Sequence, residues 1–247
     1  MSITAFIPSR YSSTRFPGKP LAMIAGKSMI QRACSCALKC PDISDVYVVT
    51  DDERIMESVK GFGGKAVMTS KNHPSGTDRI AEAVEILGLN DDDIVVNIQG
   101  DQPLFSSSII SQMVKPLVDD KTIPMSTVKY RISDPSEINN SNIVKVVTDN
   151  NGFALYFSRC AIPFYRDMPP VQDYYKHLGF YAYRKRFILE FKRLPVARLE
   201  NTEKLEPLRA IENGFRIKVV ETDYDSIEVD APVDIKKVEK LLESLKV

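Results

Sequence analysis

A short segment rich in cations, hydroxyls and glycine follows the first apolar run of the chain. The run covers residues 3–7, and the segment after it reads Arg10-Tyr-Ser-Ser-Thr-Arg-Phe-Pro-Gly-Lys19. Cations offset phosphate charge, while hydroxyl and backbone N–H groups supply directional donors. The segment therefore predicts a polyphosphate-binding loop, although a solvated surface loop explains its charge equally well. It is not a Walker loop, because Gly18-Lys19 is followed by Pro20.

Two carboxylates stand where predicted strands end. Asp101 follows the apolar run Ile94–Ile98, and Asp230 closes residues 227–229. Positions of this kind lie at the C-terminal edge of an α/β sheet, where ligands bind. Mg²⁺ takes oxygen ligands and keeps substrate phosphates in its shell, so the pair predicts a magnesium site. Spacing does not show that the two residues meet, and a turn role for Asp101 or a capping role for Asp230 is equally open.

Two further segments carry groups suited to a ligand. Ser75-Gly76-Thr77-Asp78-Arg79 is a small-residue turn that opens a predicted helix. Such an N-terminus can bind a base edge or a phosphate, but an ordinary capping turn has the same composition. Arg159 could pair with a carboxylate in two-point fashion. His177 is one of only two histidines, and a lone histidine is more often structural than catalytic.

The elements that would position these residues alternate along the chain. Strands are predicted over Ala5–Pro8, Val46–Thr50, Ala66–Met68, Ile94–Ile98, Ser126–Ile132, Ile143–Thr148 and Gly179–Ala182. Helices are predicted over Ser28–Leu38, Glu53–Phe62, Thr77–Leu87, Arg184–Arg193, Leu205–Asn213 and Pro232–Leu245. Near-continuous apolar strands are typical of parallel sheets covered on both faces. The pattern predicts a doubly wound α/β architecture, and no linker divides residues 1–247 into more than one domain.

Composition excludes several function classes. Lys and Arg total 33, as do Asp and Glu, which argues against general binding of nucleic acid or of a membrane surface. No apolar run approaches the roughly 20 residues of a membrane span. Three of the four cysteines crowd one predicted helix without a zinc-ligand spacing, which suggests reduced thiols in a cytoplasmic protein.

Taken in order, the motifs resemble those of the 3-deoxy-manno-octulosonate (Kdo) cytidylyltransferases, the CMP-Kdo synthetases of lipopolysaccharide biosynthesis. The resemblance covers nearly the whole chain. It rests on the Ile7–Pro20 segment, Thr50–Arg54, Met68–Arg79, Val96–Asp101, Ala154–Arg159, His177–Tyr183 and Lys204–Arg209.

The resemblance implies a three-layer αβα nucleotide-diphospho-sugar transferase fold with a mostly parallel central sheet and a small dimerisation lobe. It implies a homodimer that uses Mg²⁺ to convert CTP and Kdo into CMP-Kdo and pyrophosphate. Arg10, Ser13 and Lys19 would hold the CTP phosphates, and Asp101 and Asp230 would bind Mg²⁺. Residues near the nucleotide would be Ser75, Gly76, Thr77 and Arg79, and those of the sugar site Gln99, Arg159, His177, Tyr181 and Glu206.

The chain departs from the usual family pattern in or beside the implied metal and sugar sites. The common Gly-Asp-Glu-Pro is here Gly100-Asp101-Gln102-Pro103, and Leu-Glu-Gln-Leu-Arg is Leu205-Glu206-Pro207-Leu208-Arg209. The common Val-Asp-Thr-Pro is Val229-Asp230-Ala231-Pro232. Two alternatives to Kdo activation follow: the same reaction on 8-amino-3,8-dideoxy-manno-octulosonate, and a nucleotide-binding regulator without catalysis. A P-loop kinase is disfavoured, because its motif is absent.

Overall fold

The computed structural model of the chain describes residues 1–12, 16–167 and 172–244. The strands in chain order are β1 (Ile3–Ser9), β2 (Met23–Ile24), β3 (Lys27–Ser28), β4 (Asp45–Thr50), β5 (Lys65–Met68), β6 (Ile94–Asn97), β7 (Met125–Arg131), β8 (Lys145–Thr148), β9 (Ala154–Ser158), β10 (Tyr175–Arg184) and β11 (Ile217–Thr222). The helices are α1 (Met29–Ala37), α2 (Glu53–Gly61), α3 (Gly76–Ile86), α4 (Ser108–Asp119), α5 (Lys185–Arg193), α6 (Arg198–Glu203), α7 (Pro207–Glu212) and α8 (Pro232–Ser244).

A mixed sheet runs through the molecule in the order β11-β7-β10-β6-β1-β4-β5, and the β8–β9 hairpin joins it through β10. Strands β6, β1, β4 and β5 are parallel, as are β7 and β11. Strand β10 is antiparallel to both of its neighbours, β6 and β7. The predicted α/β fold with a mostly parallel central sheet is confirmed.

Helices cover both faces of this sheet because successive strand residues point to opposite sides. In β1, Ile7 packs in the apolar cluster that contains buried residues of α1, α2 and α4. Its neighbour Phe6 packs in a second cluster with α3, α5 and α7. Both side chains are fully buried. Burial of the two faces yields the three layers expected of the fold.

A third cluster anchors the end of the chain. Val238 of α8 packs with Ile24, Met29 and Val229 beside the β2–β3 hairpin. The backbone N–H of Ala25 also donates to Glu239 Oε1 at 2.9 Å. These contacts hold the segment before α8, which carries Asp230, against the N-terminal half of the molecule.

Several elements differ from the prediction, and β2, β3, β9, α4, α6 and β11 were not predicted. The segment 227–229 is not a strand; it forms a single bridge, from Ile227 to Leu104. Helix α4 contains Pro116, and its buried apolar face stabilises it. Strand β11 was also missed, since polar residues interrupt its apolar positions next to β7.

No helix within residues 1–12, 16–167 and 172–244 has the length and apolar character that crossing a membrane requires.

Candidate active site

The basic loop starts at the C-terminal end of β1 and borders a cavity of about 280 Å³. Arg10, Ser12 and Lys19 line one part of this basic-loop cavity, and Asp101 and Asp230 line another. The predicted phosphate contact Ser13 lies outside the described residues. The loop therefore stands at the sheet edge where α/β proteins bind ligands.

Glycine is required where the turn after β6 approaches β1. A Cβ placed on Gly100 would lie 2.9 Å from the Pro8 carbonyl oxygen and 3.1 Å from Ser9 Oγ. Real Cβ atoms do not come that close to a backbone oxygen, so a larger residue would push the two segments apart. Gly100 thus permits a close approach of the two segments, which holds Asp101 beside the basic loop.

Lys19 links the two carboxylates that were predicted to bind magnesium. Its Nζ lies 2.8 Å from Asp101 Oδ2 and 3.4 Å from Asp230 Oδ1. The backbone completes the link, because the N–H of Val229 donates to the Asp101 carbonyl at 2.9 Å. Two residues far apart in sequence thus meet around one cation.

Glu228 is a third carboxylate at this place, and the sequence interpretation missed it. Three carboxylate oxygens, one from each residue, lie within 4.8 Å of one another; they belong to Asp101, Glu228 and Asp230. An all-oxygen set of this size suits Mg²⁺. The signal was present in Ile227-Glu228-Val229-Asp230, where acids alternate with apolar residues, since an extended chain places alternate side chains on one side.

The turn before α3 contacts the basic loop directly. Arg10 Nη2 donates to the His73 carbonyl at 2.6 Å. Ser75 Oγ accepts from the Asp78 N–H at 3.2 Å, which is the capping role left open by the sequence. A Cβ on Gly76 would lie 3.2 Å from Pro8 Cγ, so α3 begins in close contact with β1.

Arg79, which was expected near the nucleotide, is a buried residue. Its side chain has no exposed surface, and its Nη2 lies 2.9 Å from Asp51 Oδ2. Nη1 donates to Thr69 Oγ1 at 2.6 Å. The guanidinium thus lies beneath the loops after β4 and β5 instead of on a cavity wall, because its donors satisfy loop acceptors there.

A smaller cavity of about 230 Å³ brings together five predicted residues from the nucleotide and sugar sets. Its lining includes Gly76, Thr77, Gln99, Tyr181 and Glu206, with Asn97 and Lys204 among its other residues. Thr77 Oγ1 donates to Glu206 Oε2 at 2.6 Å, which joins α3 to the residue before α7. Burial raises the pKa of Tyr181 well above its ordinary value, so its hydroxyl stays protonated.

A larger cavity of about 650 Å³ adjoins it and contains His177 in its lining, together with Gln99, Asp101, Gln102 and Tyr181. Burial lowers the pKa of His177 to about 3, so the ring is neutral near pH 7. Thr127 Oγ1 donates to the Phe180 carbonyl at 2.5 Å and lies 2.8 Å from His177 Nε2. Since the hydroxyl has one proton, Nε2–H must donate to it, and His177 is an oriented neutral ring.

Arg159 is held by backbone groups in place of the predicted open fork. Its Nε donates to the Glu203 carbonyl at 2.7 Å and its Nη1 to the Ser141 carbonyl at 2.9 Å. Buried Lys145 donates to the Arg159 carbonyl at 2.8 Å. The side chain lies beside the loop that borders the larger cavity.

Together, a lysine between carboxylates at the C-terminal edge of an αβα sheet, a basic loop and two adjoining polar cavities define a nucleotide-using group transferase. Comparisons with known proteins agree. The family model described as Cytidylyltransferase matches residues 4–221. The chain belongs to the cytidylyltransferase family, in the branch of the 3-deoxy-manno-octulosonate and 8-amino-3,8-dideoxy-manno-octulosonate cytidylyltransferases, which are nucleotidyltransferases. The family resemblance predicted from the motifs is confirmed.

Three similar proteins carry this assignment. The 3-deoxy-manno-octulosonate cytidylyltransferase of Syntrophus aciditrophicus (strain SB) is 53% identical, over 97% of each chain. The 8-amino-3,8-dideoxy-manno-octulosonate cytidylyltransferase of Shewanella sp. (strain ANA-3) is 51% identical, over 98% of this chain and 99% of that one. A solved structure of CMP:2-keto-3-deoxy-manno-octonic acid synthetase complexed with CTP aligns with a TM-score of 0.92 at 37% identity, covering 99% of both chains.

Proposed function

We propose that this protein transfers CMP from CTP to the anomeric hydroxyl of a Kdo-type 2-keto sugar acid and releases pyrophosphate. One observation carries the proposal: the cavities that would hold the two substrates share residues. Asp101 lines both the basic-loop cavity and the larger cavity, and Gln99 lines all three cavities. A triphosphate at the basic loop would therefore lie next to a sugar hydroxyl in the larger cavity. The names of the similar proteins support the same pair of substrates.

The transfer of CMP requires mainly that the substrates are correctly positioned and that the phosphate charge is stabilised. The sugar hydroxyl attacks the α-phosphorus and pyrophosphate leaves, so no protein nucleophile is needed. Lys19 and Arg10 would offset phosphate charge, and Ser12 offers a hydroxyl donor in the same cavity. Neutral His177, with Nε2–H engaged by Thr127, orients a sugar hydroxyl without adding charge.

The carboxylates of Asp101 and Asp230, with Glu228 beside them, would hold Mg²⁺. Their oxygens lie close enough together for one ion, and Lys19 already occupies part of the same space with a positive charge. When bound, Mg²⁺ offsets phosphate charge and favours ionisation of a nearby hydroxyl. Lys19 lines the same cavity and would contact phosphate there.

Arg159 remains the proposed contact for the carboxylate of the sugar acid, through a guanidinium freed from the Ser141 carbonyl. We also propose a homodimer, a cytoplasmic location and a place in lipopolysaccharide biosynthesis. The sequence resemblance supports these three proposals.

Pyrophosphate release tests the proposed function. With CTP, Mg²⁺ and either Kdo or its 8-amino analogue, we expect turnover that depends on both the sugar and the metal. Replacement of CTP by ATP is the control, and we expect little release with it. Clear CTP binding without turnover on either sugar would overturn the proposal and favour a non-catalytic nucleotide-binding regulator.

A further inference from the structure

A cluster of opposite charges lies in the larger cavity, apart from the three carboxylates near Lys19. Lys176 of β10 is 8% exposed, and its Nζ lies 3.0 and 2.9 Å from the two carboxylate oxygens of Glu137. The same Nζ lies 2.9 Å from Asp225 Oδ2. All three residues line the cavity, and they come from β10, a 3₁₀ turn and the loop after β11. We refer to them as the Lys176 cluster.

The Lys176 cluster carries one more negative than positive charge. Burial opposes the charge of Lys176, but hydrogen bonds to Asp225 and Glu137 outweigh it and raise its pKa, so the lysine stays charged. The other lysines of the cavity lining have other partners: Lys237 Nζ lies 2.9 Å from Asp234 Oδ1, and Lys204 donates to Asn201. Within the Lys176 cluster, the single ammonium of Lys176 therefore faces the two carboxylates of Glu137 and Asp225.

Gln102 provides a second, independent observation. It is 4% exposed and lines the same cavity. Its Nε2 donates to the Leu178 carbonyl at 2.7 Å. This hydrogen bond fixes the orientation of the amide, so Oε1 lies on the side away from Leu178. That buried Oε1 has no hydrogen-bond partner in the described part of the chain. A buried acceptor without a donor is costly, so a ligand donor at this position would be favourable.

These features share one chemical preference. The carboxylates and the Gln102 carbonyl only accept hydrogen bonds, and their net charge is negative. An ammonium group only donates and is positive, whereas a hydroxyl is neutral and brings one donor. The two sugars named for the similar proteins differ in this respect, since one has an 8-amino group.

We propose that the Lys176 cluster and Gln102 select an acceptor sugar acid whose tail carries an ammonium group over one whose tail ends in a hydroxyl. This selection rests on the proposed function and assigns Glu137 and Asp225 as specificity-determining residues. A charge-assisted hydrogen bond is about twice as strong as a neutral one, which corresponds here to a preference of about tenfold.

The test compares kcat/KM for the 8-amino sugar and for Kdo in the same preparation. We expect the wild-type ratio to favour the 8-amino sugar by about tenfold, and to decline as KCl is raised because salt screens partly exposed charges. Glu137→Gln and Asp225→Asn should each bring the ratio close to one. Asp223→Asn removes an acid two residues from Asp225 that borders a different cavity, and it should leave the ratio unchanged.

The outcomes separate the two proposals. A wild-type ratio of one or less, or a ratio that neither variant changes, overturns the selection by the Lys176 cluster. Variants that weaken use of both sugars equally also leave the ratio unchanged and point to a structural role. Turnover on Kdo alone would overturn the selection yet uphold the proposed function, whereas no turnover on either sugar overturns both. Glu137 and Asp225 lie on separate segments, so one variant remains informative if the other fails to fold.

Discussion

The basic-loop cavity and the larger cavity share Gln99, Asp101 and Glu228, but they are assembled in different ways. The first is built mostly from two short segments at the ends of β1 and β6, and its charges pair within the site through Lys19. The second draws on segments from β6 to α8, including His177, Gln102 and the Lys176 cluster. A site made of contiguous residues is readable as a motif, while a site made of dispersed residues is readable only in the folded chain.

The largest expected effect comes from a change at Asp101, one of the residues that line both cavities. Asp101→Asn keeps the shape of the side chain but removes the charge that faces Lys19 and the proposed Mg²⁺. Turnover should fall by about 10²–10³, as is usual when one preorganised charged group is lost from such a site. Steady-state pyrophosphate release and the Mg²⁺ dependence check this, with a melting curve to show that the fold is kept.

Asp92→Asn provides the matched control for that variant. Asp92 is exposed in the turn before β6, and its change should leave turnover as it is. Near-normal activity in Asp101→Asn would show that the proposed metal site is not at Asp101. The basic-loop cavity would then not be the catalytic one of the two cavities.

The next effect distinguishes a structural from a nucleotide-contacting role for Arg79. Arg79→Met leaves Asp51 without its cation in a largely buried setting, so we expect a loss of about 3 kcal/mol in the free energy of unfolding. Urea unfolding measures it. Arg216→Met, which breaks an exposed pair with Asp149, should cost less than about 1 kcal/mol. Unchanged stability with weakened CTP binding in Arg79→Met would instead place Arg79 in the nucleotide site.

The smallest expected effect concerns His177 in the larger cavity. It is a pH dependence of the free energy of unfolding. The folded pKa of His177 is about 3, below the ordinary value of 6.5, so the unfolded chain takes up a proton first as pH falls. This contribution to stability is complete above pH 6.5 and is lost as pH falls from there toward 3. At pH 5 the loss is about 2 kcal/mol.

Urea unfolding at pH 7.5 and pH 5 checks the pH effect. His177→Gln keeps a group able to bond Thr127 but does not titrate, so its stability should fall by about 2 kcal/mol less than that of the wild type over this interval. An identical fall in both proteins would show that His177 is not a buried neutral ring.

Much of the fold was predictable, because apolar runs and helix starts are local signals. The strands around β1 and the helices α1 to α3 lie within a few residues of their predicted bounds. Helix α4 was not predicted; it contains Pro116 and is stabilised by its buried face. The residues before Asp230 looked like a strand, but the structure gives them one bridge and a backbone hydrogen bond to Asp101.

The site residues divide in the same way. Arg10, Lys19 and Asp101, which line the basic-loop cavity, could be proposed from sequence because their chemistry and order lie within short segments. The positions of Arg79 and Arg159 could not be found, since a guanidinium in sequence looks the same whether its partners are loop acceptors or a ligand. Glu228 was missed because its neighbour Asp230 already explained the segment.

The amino-acid sequence by itself determined the family, the α/β class and the basic loop, because these depend on residue types in local order. Only the tertiary structure decided that Asp230 and Glu228 meet Asp101, that Arg79 is buried, and that Lys176 stands between Glu137 and Asp225. The physical reason is that charge pairing and burial depend on which distant segments fold against one another. Spacing along the chain does not contain those distances.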